Sequence, residues 1–265
     1  MSKIIKIYCE GKKGGHDYDI LEKVIDGLKV EIKPIGSKLG AKRAIEVYES
    51  VVKSDFKLFF RDRDFDNPIP DTVSLTLVKG VYYSHRITIE NYLFAPTVFY
   101  SFIREKNLTQ QYPILDETHA KDVFIKAAKD IKAYQATRHA MGKMRKPTDF
   151  GTTWTGGSGN LPDQFDQDYC KQKALEKILK SKGVAENWNE DSFDRERKFF
   201  LDKFDDTFFE NLGFLVWFQG KDFASALKIH LPEFPIKEYY KFAKKLFDYK
   251  QFTDLLELRK ILEEA

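Results

Sequence analysis

From Ile4 to Phe60 the sequence runs strand, helix, strand, helix, strand: Ile4–Cys9, Val30–Ile35 and Phe56–Phe60 are rich in β-branched and aromatic residues, and helical apolar spacing fills the gaps. Strands joined through helices are parallel, because a parallel pair needs a long crossover and the helix supplies it. The expectation is therefore an α/β fold, a mostly parallel Rossmann-like sheet with covering helices. The first helix carries Ile20, Leu21, Val24, Ile25 and Leu28 on one face, with Asp17 or Asp19 as its cap. The second runs from Ala41 to Val52 and turns Ile45, Tyr48 and Val52 inward.

In open parallel sheets, ligands bind beyond the carboxyl ends of the strands. There this chain places Glu10-Gly11, then Gly36-Ser37-Lys38, then Asp62-Arg63-Asp64. Along an extended backbone Asp62 and Asp64 project to one side and Arg63 to the other. Two carboxylates side by side repel, and a hard divalent cation such as Mg²⁺ relieves that repulsion. The alternative is a solvated turn leading into Asp66-Asn67-Pro68. Val73–Leu77 and Val81–Ser84 read as a hairpin through Lys79-Gly80, a pair outside the favoured two-residue turns. The apolar alternation that follows ends on a further acid, Glu90.

Composition excludes some classes. At 42% hydrophobic residues the chain is not disordered, and a net charge of +3 names no partner. Two cysteines, Cys9 and Cys170, suggest no disulfide framework, and Cys9, inside a strand pattern, reads as a buried thiol. That cysteine usage favours a reducing, cytoplasmic setting, and neither a signal peptide nor a membrane-length apolar run is expected.

The remainder divides into a largely helical insertion over 96–212, following a core over 1–95, and a segment over 213–265. Within the insertion, Lys121–Lys146 is basic, with Lys126, Lys129, Lys132, Arg138, Lys143 and Arg145 interleaved with Tyr134, Gln135 and His139. Such a run neutralises phosphates and stacks on bases, or is simply a solvated helix face. The glycine-rich stretch Trp154–Gly159 lacks the Lys-Ser/Thr ending of a phosphate-binding loop and reads as a mobile loop that orders on substrate or partner. Phe214–Phe218 reads as a buried strand returning to the sheet, followed by Gln219-Gly220-Lys221-Asp222 and a helix. Two amphipathic helices close the chain from Ile236, as packing or oligomer elements.

Taken together, Glu10-Gly11, Gly36-Ser37-Lys38 and Asp62-Arg63-Asp64 resemble the Toprim domain shared by topoisomerases, bacterial primases and overcoming-lysogenization-defect nucleases. Ile89-Glu90-Asn91-Tyr92-Leu93 and Gly220-Lys221-Asp222 are similar to a narrower branch, the stand-alone Toprim effectors of PARIS-type phage-defence systems. The resemblance covers about Met1–Leu93 and Phe214–Leu227. It implies an endonuclease using one or two Mg²⁺ or Mn²⁺ ions, acting on RNA such as tRNA, working beside an ABC-type ATPase and active as a homodimer. Glu10 would be a metal ligand or general acid/base, Asp62 and Asp64 would bind Mg²⁺, Glu90 would complete a second metal position, and Lys221 would stabilise the transition state. Asp17, Lys38 and Asn91 would support them. The sequence departs from the pattern where Lys12-Lys13-Gly14-Gly15-His16 precedes Asp17 and Asp19, leaving open which of the two, if either, joins the site. Two cations about 4 Å apart would activate water and compensate the leaving oxygen. The competing readings are a catalytically idle Toprim-like subunit docked on an ATPase, and a DNA-cleaving nuclease.

Overall fold

The computed structural model describes residues 3–36, 41–65, 67–144, 151–181 and 189–265. In chain order the elements begin with β1 (Ile5–Cys9), α1 (His16–Val24), β2 (Val30–Pro34), α2 (Ala41–Val51), β3 (Phe56–Arg61), β4 (Thr76–Val78) and β5 (Val81–Tyr83). A 3-10 helix over Ile89–Leu93 leads into α3 (Pro96–Glu105), α4 (Glu117–Asp130), α5 (Lys132–Met144), α6 (Gln167–Leu179) and α7 (Glu190–Lys203). The chain closes with α8 (Asp206–Glu210), α9 (Phe214–Trp217), α10 (Gly220–His230), α11 (Ile236–Leu246) and α12 (Thr253–Glu264). Two compact units result: Met1–Arg63, Ile69–Ile89 and Lys241–Ala265 form the first, and Asp64–Pro68 with Glu90–Tyr240 the second.

The first unit is the expected α/β sheet, in the order β2-β1-β3-β5-β4, parallel except for β4. Residues of β1 alternate sides as a strand must. Lys6 and Tyr8 reach α2, where Tyr8 donates to Glu49 Oε1 at 2.6 Å and Lys6 Nζ lies 3.1 Å from the same oxygen. Ser54 adds two donors to Glu49. Although burial pushes the Glu49 carboxyl up, hydrogen bonds from Tyr8, Ser54 and Lys6 outweigh it and hold the group well below the usual carboxylate range. Cys9 is a buried thiol, as expected, and burial pushes it up to about 12.

At the far edge β4 and β5 pair with Val78 opposite Val81, so Lys79-Gly80 is a two-residue loop. Both residues have positive φ, 49° and 80°, the handedness that matches strand twist in a hairpin. Gly80 takes that conformation without strain, and Lys79 adopts it despite its side chain. Two acids one turn apart on α12 fasten this edge: Asp254 accepts from His85 N–H and Glu257 from Leu75 N–H, each at 2.7 Å. Arg259 donates to the carbonyls of Val24 and Asp26 behind α1.

The second unit is built on α5, whose residues from Ala133 to Met141 are all buried. Ala140 and Met141 pack with Ala174, Ile178 and Phe193 from α6 and α7. Asp116, Asp166, Asn189, Asp205 and Gln219 cap α4, α6, α7, α8 and α10, each accepting a first-turn N–H. Gly142 is required by a close approach, since a Cβ there would meet the Phe65 carbonyl oxygen at 2.7 Å. No helix among the described residues is long and apolar enough to cross a membrane.

Several expectations are corrected. Phe214–Phe218 does not return to the sheet; Phe214–Trp217 is helix α9, and the segment clusters with the second unit. The alternation ending on Glu90 is not a strand either, because Ile89–Leu93 winds into a 3-10 helix. Neither Asp17 nor Asp19 caps α1, whose N-cap is Gly15. Val52 lies beyond α2 and is 48% exposed instead of facing inward.

Candidate active site

In the first unit the chain leaves β1 toward β2 on one side and returns to β3 on the other. The point between β1 and β3 is thus the topological switch where parallel sheets leave a crevice at their carboxyl ends. Glu10 follows β1 there and Asp62 follows β3. Tyr8 pairs with Phe59, and carrying that register two residues onward puts Glu10 beside Arg61. Their side chains form an ion pair, with Arg61 Nε 2.9 Å from Glu10 Oε1. The guanidinium also lies 5.4 Å from the ring centre of Tyr83, its register partner on β5. Carboxylate, guanidinium and aromatic ring therefore form one row across three strands.

Around this row, Asp17 accepts from Gly11 N–H at 3.1 Å, so it ties the loop after Glu10 back to the first turn of α1. Asp19 instead pairs with Lys244 at 2.6 Å. Asp62 lies 3.4 Å from the Ile89 N–H, at the long end of hydrogen bonding. Arg63 is 1% exposed and donates to the Ser84 carbonyl at 2.6 Å and to Thr76. Ser37 and Lys38, expected beside this edge, lie outside the described residues, as do Asp66 and Arg145.

In the second unit Asp64 sits at φ 47°, a left-handed turn just past the strand. The turn sends Phe65 onto α5, edge-on to His139 at 4.9 Å and under the Arg138 guanidinium at 4.4 Å. The strand alternation that placed Asp62 and Asp64 together stops at Arg61, one residue before the pair begins. Glu90 is 5% exposed, and the Lys221 ammonium lies 3.5 Å from its carboxylate. Asn91 donates to the carbonyls of Leu215 and Phe218, fixing the Glu90 turn to α9.

Next to Lys221, Asp222 is fully buried and accepts from Gln135 at 2.7 Å, from Arg138 and from the Gly159 N–H at 2.7 Å. Arg138 also donates to Thr152 and Ser158, and Tyr134 bonds Thr153. The glycine-rich loop expected to be mobile is thus hydrogen-bonded to a buried ion pair. The buried role of Asp222 was not legible beforehand, because these partners lie 63 or more residues away in sequence.

The expected nucleic-acid surface is corrected as well. Arg138 is 3% exposed and its charge is spent on Asp222, so it does not face a phosphate. Tyr134 and His139 are buried in α5, so neither offers a stacking face, and the half-buried Trp154 packs edge-on against Tyr134 at 5.1 Å. Burial lowers the His139 pKa to about 3. Lys129 and Lys143 are at the surface, paired with Asp206 and Glu196 at 2.6 Å each. Lys126 is exposed, and Lys132 lines an open groove with Arg197 and Lys198, facing Asp194 and Asp202.

The four acids divide between the units, Glu10 and Asp62 in the first, Asp64 and Glu90 in the second. Among the described residues no three His, Cys, Asp or Glu side chains gather in a way that would hold a metal ion. The residues as placed do not fit the expected metal centre. In comparisons with known proteins, no family model matches the chain and no curated protein is significantly similar to it.

Proposed function

We propose that this chain is a nuclease of the Toprim-like kind, hydrolysing phosphodiester bonds of RNA such as tRNA. The observation that supports it best is Glu10 and Asp62 at the carboxyl ends of adjacent parallel strands β1 and β3, on the switch point of the sheet. In this reading Glu10 is the general base, and Lys221, 57% exposed on the first turn of α10, is one of the cations offered to nucleic-acid phosphates. Lys126, Lys132 and Lys198 replace Arg138 as the cations offered to the backbone of the nucleic acid. The reading carries with it a requirement for Mg²⁺ or Mn²⁺, cytoplasmic action as the effector of an anti-phage system, activation through an ABC-type ATPase and a homodimeric active form. The metal requirement rests on the carboxylate chemistry alone, since no three ligands gather among the described residues.

That same observation favours a second reading, a catalytically idle Toprim-like subunit that binds an ATPase partner. Incubating the purified protein and Glu10→Ala with tRNA and with plasmid DNA, in Mg²⁺ and in chelator, separates them. The nuclease reading expects tRNA cleavage only by the unaltered protein with Mg²⁺. Cleavage that persists in Glu10→Ala or in chelator defeats it, and absence of cleavage on every substrate moves the assignment to the binding subunit. Plasmid cleavage with intact tRNA would make the substrate DNA.

A further inference from the structure

Glu10 carries the proposed chemistry, yet its charge is already answered by a residue of the neighbouring strand. We propose that Arg61 is the resident counterion of Glu10, and that any divalent cation reaching Glu10 competes with it. The inference rests on the assignment of Glu10 as a site carboxylate.

The pairing is a consequence of sheet register and not of a chance surface encounter. Glu10 directly follows β1 and Arg61 closes the neighbouring parallel strand β3, and their side chains meet at 2.9 Å. Tyr83, the next neighbour in the row, holds the guanidinium from the other side at 5.4 Å. Guanidinium stacking on an aromatic ring restricts a side chain that would otherwise sample many rotamers. Arg61 is 10% exposed and Glu10 22%, so solvent screens the pair only in part. Arginine does not lose its proton in proteins, so the guanidinium keeps its charge. A cation approaching Glu10 meets a positive charge already in contact with its ligand, and like charges a few ångströms apart in a partly desolvated edge repel strongly. In the second unit Lys221 stands in the same relation to Glu90, though at 3.5 Å and with an ammonium that is largely exposed.

The test is Mn²⁺ binding to the full chain, followed by electron paramagnetic resonance or calorimetry, with circular dichroism and melting temperature as controls of folding. Arg61→Gln, and Arg61→Met as a second neutral variant, are expected to bind Mn²⁺ at least ~10-fold more tightly than the unaltered protein. Arg61→Lys, which keeps the charge, is expected to stay within roughly threefold of it. Adding Glu10→Gln to Arg61→Gln is expected to remove the gain. Equal or weaker binding by folded Arg61→Gln and Arg61→Met overturns the inference, as does a gain that survives Glu10→Gln, or no Mn²⁺ binding by any of these proteins. Because the readout is binding, the two claims separate: a gain in Mn²⁺ affinity without tRNA cleavage leaves the counterion role standing and removes the nuclease. Cleavage without a gain does the reverse.

Discussion

At the edge of the sheet the Glu10–Arg61 pair leaves its carboxylate 22% exposed, whereas in the helical unit Asp222 and Arg138 meet at 0% and 3% exposure. Water stands ready to replace a partner at the first and cannot reach the second. Asp222 has its acceptors taken by Gln135, Arg138 and the Gly159 N–H, so losing any partner leaves a buried donor or charge unanswered. The difference separates two uses of an ion pair: one that can be exchanged for another cation, and one that fastens a glycine-rich loop to the start of α10.

The comparison breaks most readily at Asp222. Asp222→Ala is expected to cost about 3–5 kcal/mol in chemical denaturation, because it strands Arg138 in the interior. Arg61→Met at the sheet edge should cost less than Asp222→Ala, because it leaves a carboxylate that water can reach; equal losses at the two positions would erase the distinction between them. Acid sharpens the contrast further. His139 has its pKa lowered from 6.5 to about 3, so the unfolded chain takes up a proton that the folded one refuses. Its contribution is therefore complete above about pH 6.5 and falls as pH drops toward 3, by about 1.4 kcal/mol per pH unit. His139→Phe should flatten that slope in denaturation measured between pH 7 and pH 4, and an unchanged slope would show that His139 does not cause it.

Gly142→Ala addresses the docking of Phe65 on α5. A methyl group there overlaps the Phe65 carbonyl, and a loss of roughly 1–3 kcal/mol in thermal or chemical melting is expected. A neutral Gly142→Ala would mean that the turn at Asp64 shifts without cost. At the small end, Lys129→Ala and Lys143→Ala remove exposed pairs with Asp206 and Glu196 and should each change stability by less than about 1 kcal/mol. A larger change at either would mark it as part of a network.

The sheet unit was largely legible because its signals are local. Period-two runs and helical spacing mark β1 to β3 with α1 and α2, and the acids at strand ends follow from them. Phe214–Phe218 was not legible, since a short, fully apolar run looks the same as strand or buried helix. Arg138 and His139 read as a basic face because their buried partners, Asp222 and the Trp217 carbonyl, lie far along the chain. Arg61 was passed over for a related reason: its partner Glu10 lies 51 residues away and meets it only once β1 and β3 pair. The pairing of Asp62 with Asp64 failed at Arg61, where the strand ends and alternation loses its warrant.

Single-turnover cleavage of tRNA in Mg²⁺ by the unaltered protein, Glu10→Gln and Asp62→Asn, each checked for an unchanged melting temperature, tests the switch-point site most directly. Rates lower by roughly 100-fold or more in both variants are the predicted result. Cleavage at the unaltered rate in both would contradict the assignment of the β1–β3 edge as the seat of the chemistry.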